Sequence, residues 1–136
     1  MRYLLDTNAW IIYLKDPDSG VRKRLLTVSP QDIVTCSIVL SELLHGAEKY
    51  GNRLKRVATV QTLLAPFLCL PFDESDAAHY ASLRHDLEVR GEVIGPYDLQ
   101  IAAICLRHQF TLVTNNVSEF GRIDRLIVED WSQSAN

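Results

Sequence analysis

The chain is short of the features that mark several protein classes. Its three cysteines, Cys36, Cys69 and Cys105, form no close pair, and each sits in an apolar context. Such spacing offers neither a disulfide framework nor a zinc knuckle, so the thiols read as small buried hydrophobes. No apolar stretch approaches the ~20 residues that a membrane-spanning helix requires. Arg2 is followed by a short apolar run that Asp6 interrupts, which is no signal peptide. A cytoplasmic protein without membrane contact is therefore the expectation. Repeats, low-complexity segments and long linkers are also missing. Residues 1–131 read as a single domain, and residues 132–136 as a loose tail. Positive charge is scarce as well: 14 Lys and Arg stand against 17 Asp and Glu, a formal net charge of −3. That balance excludes a protein whose whole surface grips nucleic acid. It leaves room for local basic groups such as Arg22-Lys23-Arg24 and Arg53, Lys55 and Arg56, which read first as solvated helix faces.

What is present is ordinary globular material, 47% apolar and 23% charged over 136 residues, enough for a real core. Five short apolar runs rich in strand formers recur at residues 3–6, 33–35, 67–70, 111–114 and 126–128. Helical patterns separate most of them, at 9–14, 21–28, 37–50, 52–64, 73–90 and 96–108. Strands alternating with helices predict a three-layer α/β/α fold around a central, mainly parallel five-stranded sheet. In open sheets of that kind ligands gather beyond the carboxyl ends of the strands, and Asp6 closes the first run.

Three acids stand out. Asp6 is a helix N-cap on the simplest reading, although Thr7 or Asn8 could cap in its place. Asp98 follows Pro96 at a helix start, where the dipole favours an anion by ~0.3–1 kcal/mol. Its spacing, however, sets it on one face with Ile101, Ala102 and Cys105. An acid on an inward face is expensive unless something pairs with it. Glu42 lies away from the apolar stripe of Leu40, Leu43, Leu44 and Ala47, so a solvated glutamate is the default. The apolar first turn of Ile38, Val39 and Leu40 points to an enclosed end instead. Thr114-Asn115-Asn116 follows the fourth run and reads locally as a turn. Two carboxylates ~4 Å apart repel by about 4 kcal/mol at an effective dielectric of 20. Several in one cleft must share a proton or a divalent cation. With oxygen ligands alone that cation would be magnesium or manganese.

The strings Leu4-Leu5-Asp6-Thr7-Asn8, Ser37-Ile38-Val39-Leu40-Ser41-Glu42-Leu43-Leu44-His45-Gly46, Ile94-Gly95-Pro96-Tyr97-Asp98-Leu99-Gln100-Ile101-Ala102-Ala103 and Leu112-Val113-Thr114-Asn115-Asn116-Val117-Ser118-Glu119-Phe120 resemble the PIN-domain nucleases. More narrowly they resemble the VapC toxins of VapBC toxin–antitoxin pairs. The resemblance implies a PIN-like fold and a magnesium-dependent endoribonuclease, with manganese a plausible substitute, directed at structured RNA such as transfer RNA. It implies a site of Asp6, Glu42 and Asp98, with the metal on Asp6 and Asp98, and hydrolysis leaving a 5′-phosphate. Where the family often carries a fourth acid this chain has Asn116, a neutral ligand or water-orienting group in the same site. A VapB-like antitoxin and a homodimer are the implied partners.

Three other readings compete. Glu42-x-x-His45 and Asp76-x-x-His79 mimic the spacing of helical di-iron sites, but the strand-like runs contradict an all-helical bundle. Asp6 could be an aspartyl-phosphate nucleophile, though a Gly-rich phosphate loop is lacking. A non-catalytic PIN-like module binding RNA or protein is the third. Asp73, Asp76, Glu92 and Asp124 read as ordinary surface acids.

Overall fold

In a computed structural model, residues 1–132 are described; of the expected tail, residues 133–136 lie outside them. The chain alternates as expected. Strand β1 (Tyr3–Leu5) leads into α1 (Thr7–Lys15) and α2 (Gly20–Leu25), then β2 (Ile33–Cys36) into α3 (Ser37–Glu48) and α4 (Arg53–Leu64). Strand β3 (Leu68–Leu70) precedes α5 (Glu74–Arg90) and α6 (Pro96–His108), and β4 (Thr111–Val113) precedes the short α7 (Val117–Phe120) and β5 (Val128–Glu129).

The five strands form one sheet in the order β3-β2-β1-β4-β5, and every pairing is parallel. From β1 the chain steps outward twice, to β2 and β3, and then returns across β1 to β4 and β5. Right-handed crossovers therefore put α1 to α4 over one face and α5 to α7 over the other. Within the faces α1 packs on α2 and α3, α3 on α4, and α5 on α6, while α3 and α6 also meet across the faces. The central strands are covered on both sides: Leu4, Leu5, Leu112 and Val113 are all buried. This explains their unbroken apolar runs.

Local chemistry sets the helix ends. The side chain of Asp6 caps α1 by accepting from Ala9 N–H at 2.8 Å. A capping box of Asp73 and Asp76 starts α5, and Gly91 stops it in the left-handed region at φ 69°, where only glycine is unstrained. Pro96 opens α6. That helix buries Leu99, Ile101, Ala102, Ala103, Ile104 and Cys105, so it runs through the core as its composition requires.

Two expectations need correction. Cys36 and Cys105 are buried, but Cys69 is exposed because β3 is an edge strand that presents Leu68 and Cys69 to solvent. Asp76 is no surface acid: it is fully buried, and its carboxylate accepts from Arg107 Nε at 2.7 Å. The same guanidinium reaches Asp73 at 3.0 Å, so one arginine ties the first turn of α5 to the end of α6. The basic group on α2 is partly engaged inside the molecule as well. Arg22 lies over Tyr13 and donates to its carbonyl, and Arg24 lies over Trp131 beside Glu129.

Candidate active site

The order of the strands creates a switch point between β1 and β4, where the chain leaves the sheet in opposite directions. Sheets of this order form their ligand crevice at that point, beyond the carboxyl ends. Parallel pairing extends one residue past β1, since Asp6 N–H donates to the Val113 carbonyl at 2.9 Å. The pairing sets Asp6 beside Thr114. Asp6 is only 3% exposed, and the Thr114 hydroxyl and Ala9 N–H both bond its carboxylate.

Asp98 enters from the first turn of α6 and is half-buried. The face it shares with Ile101, Ala102 and Cys105 is the fully buried one. Glu42, half-buried on the second turn of α3, reaches the same crevice, and its Oε1 accepts from the Thr7 hydroxyl at 2.6 Å. The three acids sense one another. Burial is the largest cause lifting Asp6 from 3.8 to about 6, with repulsion from Glu42 and Asp130 adding to it against those two hydrogen bonds. Asp98 is lifted from 3.8 to about 6 by burial first, then by repulsion from Glu119, Asp6 and Glu42.

Glu119, on α7, is the residue that sequence reasoning missed. Its carboxylate accepts from Asn116 Nδ2 at 2.8 Å and from Gly95 N–H at 3.3 Å, and it lies close enough to Asp98 to raise that residue's pKa. Thus the side-chain amide of Asn116 is spent on holding a fourth acid supplied three residues further on. Asn116 N–H in turn donates to the Thr114 hydroxyl at 3.0 Å. The signal was present in the Asn116-x-x-Glu119 spacing, which is one helical turn, but α7 is too short to show periodicity.

Ion pairs involving lysine or arginine fall elsewhere among the described residues. Uncharged donors alone hold the acids: Thr114 and Ala9 on Asp6, Thr7 on Glu42, Asn116 and Gly95 on Glu119. Negative charge is left uncompensated, and Asp6 and Asp98 hold their protons to higher pH than ordinary carboxyls do. This all-oxygen set suits a hard divalent cation. Among the described residues the side chains do not converge into a ready three-ligand cage. The di-iron pattern fails here, because Asp76 is committed to Arg107 while His45 and His79 are exposed.

An all-parallel α/β sandwich with a carboxylate-lined crevice at its switch point defines a class of acidic-site α/β domains. Comparison with known proteins narrows it. The PIN domain family model matches residues 3–126, and the chain belongs to the PIN-domain family, in its VapC-type branch. It is 36% identical to Ribonuclease VapC2 of Rickettsia felis over 98% of this chain and 100% of that one. It is 32% identical to the tRNA(fMet)-specific endonuclease VapC of Shigella flexneri over 97% and 99%. Among solved structures, DNA-bound VapBC from Salmonella typhimurium superposes with a TM-score of 0.90 at 33% identity, covering 96% of this chain and 98% of that one.

Proposed function

We propose that this protein is a magnesium-dependent endoribonuclease, the toxin of a toxin–antitoxin pair, hydrolysing phosphodiester bonds in structured RNA, with transfer RNA the foremost substrate. The observation that carries this reading is the meeting of Asp6, Glu42 and Asp98 at the switch point with no basic partner among the described residues. The endonuclease and ribonuclease names of the relatives support it. The VapBC likeness supports a VapB-like antitoxin as partner. The toxin works in the cytoplasm as a homodimer, and residues 1–131 form one nuclease domain. No helix among the described residues is long and apolar enough to cross a membrane.

Asp6 and Asp98 would hold the ion, with manganese able to substitute. When bound, such an ion neutralises phosphate charge and makes a coordinated water more acidic. The chain's own groups do the rest. Glu42 takes the proton from the attacking water and is kept facing it by Thr7. The carbonyl oxygen of Asn116 remains available to orient that water while its amide secures Glu119. Burial of Asp6 and Asp98 keeps bulk water from screening their charge.

The test uses purified protein, total RNA, and magnesium against chelator. Cleavage with magnesium alone is expected. Asp98→Asn should abolish it and leave the circular dichroism spectrum and melting temperature near wild type. An Asp98→Asn variant that cuts at the normal rate would falsify the site. Equal RNA patterns with magnesium and with chelator would favour a binding module.

A further inference from the structure

We propose that Thr7 is a positioning residue for this reaction, its hydroxyl holding the Glu42 carboxylate in the crevice. The inference rests on the reading of the acidic crevice as the nuclease site. The N-terminus of α1 is already capped by Asp6 through Ala9 N–H, so the Thr7 hydroxyl is not required for capping. Its one hydrogen goes instead to Glu42 Oε1, 35 residues away in sequence, at 2.6 Å. A distance that short is typical of a hydroxyl donating to an ionised acceptor.

The tether matters because of what surrounds Glu42. Asp6 and Asp98 both repel it, it is half-exposed, and its side chain has three torsions with which to swing toward water. Asp6 has two donors and Glu119 has two, whereas among the described residues Thr7 is the donor recorded on Glu42. Threonine suits the task, since branching at Cβ restricts χ1. With Oε1 tied to Thr7, Oε2 stays uncommitted and available to accept a proton. A neutral donor also orients the carboxylate without neutralising it, which an arginine in the same place would do.

A bond that merely pins α1 to α3 would behave differently, and the test separates the two. Bulk tRNA with magnesium is the substrate, and Thr7→Val, Thr7→Ser, Glu42→Gln and Thr7→Val/Glu42→Gln are compared under single-turnover conditions. Thr7→Val keeps the shape and loses the donor. It is expected to lower the cleavage rate constant about tenfold to a hundredfold, part of the ~10²–10⁴ that a positioned base contributes, with half-saturating tRNA unchanged. Thr7→Ser restores the rate. In the Glu42→Gln background Thr7→Val should cost nothing further, because the group it positions is already gone. The side-chain carboxyl 13C resonance of Glu42 should move in Thr7→Val and stay in Thr7→Ser.

A Thr7→Val protein of normal rate, an equal loss in both backgrounds, or a Thr7→Ser protein as slow as Thr7→Val overturns the proposal. If Glu42→Gln is inactive while Thr7→Val is normal, the crevice reading survives and only the role of Thr7 falls. If Glu42→Gln itself cleaves at the wild-type rate, both fall.

Discussion

Replacing Asp6 by asparagine should stabilise the cation-free protein while destroying its activity. Folding lifts the Asp6 carboxyl from 3.8 to about 6, so the native state binds a proton more tightly than the unfolded chain. Stability from this group is fully present below pH ~4 and is lost as pH rises through ~6. At about 1.4 kcal/mol per unit, the ionised carboxylate costs the fold about 3 kcal/mol at neutral pH. Asp6 is 3% exposed, so solvent screening removes little of that cost. Asparagine caps a helix as well as aspartate and keeps the bond from Ala9 N–H. It pairs less well with the Thr114 hydroxyl, which leaves a net gain of about 1–2 kcal/mol. With an unfolding entropy of ~2.1 cal/mol/K per residue, melting should rise by about 3–7 °C. Melts of both proteins at pH 4 and pH 8 in chelator check this: near coincidence at the lower pH, Asp6→Asn higher at the upper. Saturating manganese should reverse the order, because a cation stabilises the wild type through this carboxylate. Asp6→Asn melting below wild type at pH 8 in chelator, or a pH-independent difference, would refute the account of a buried, uncompensated charge.

The same shifts govern ion binding. Asp6 and Asp98 titrate near 6, so manganese affinity measured by calorimetry should weaken as pH falls below 6, by about tenfold per pH unit for each carboxyl that must lose its proton. Affinity that is flat between pH 5 and 7 would contradict that assignment. Away from the crevice, Arg107→Ala strands the fully buried Asp76 without its partner. Urea unfolding should show a midpoint at clearly lower urea, because removing one partner leaves a buried charge without its counter-ion, with the cleavage rate of the folded fraction unchanged.

The fold was legible because each strand lies in a short apolar run, and several helices carry their own signals: Asp6 and Ser19 as caps, the Asp73–Asp76 box with Gly91, and Pro96. The predicted strands fall within a residue or two of the observed ones, and the helices differ mainly at their first and last turns. Asp98 was legible for a related reason: the residues at its helical spacing, Ile101, Ala102 and Cys105, are apolar, and their face is buried. What could not be read are pairings between distant elements. Nothing near Asp76 in sequence announces Arg107, which lies 31 residues away. Likewise nothing near Glu42 announces Thr7. Glu119 escaped because the four-residue α7 carries no period, and Cys69 because edge position belongs to the sheet order and not to the strand.

Those distant pairings also explain why the crevice keeps its charge. A structural ion pair such as Arg107 with Asp76 satisfies a buried acid and cancels it. Asp6, Glu42 and Glu119 are satisfied another way, by a hydroxyl, an amide or a backbone N–H, which fixes geometry and leaves the charge in place. Each uncancelled carboxylate repels a phosphate ~4 Å away by about 4 kcal/mol at an effective dielectric of 20, so these acids by themselves would reject an RNA backbone. The arrangement makes sense only if a cation accompanies the RNA into the site. RNA binding measured without cleavage, on the Glu42→Gln protein, should therefore tighten when magnesium replaces chelator at matched ionic strength. Binding that is equal in both would mean that surfaces outside the crevice provide all of the affinity, and the argument from charge would fail there.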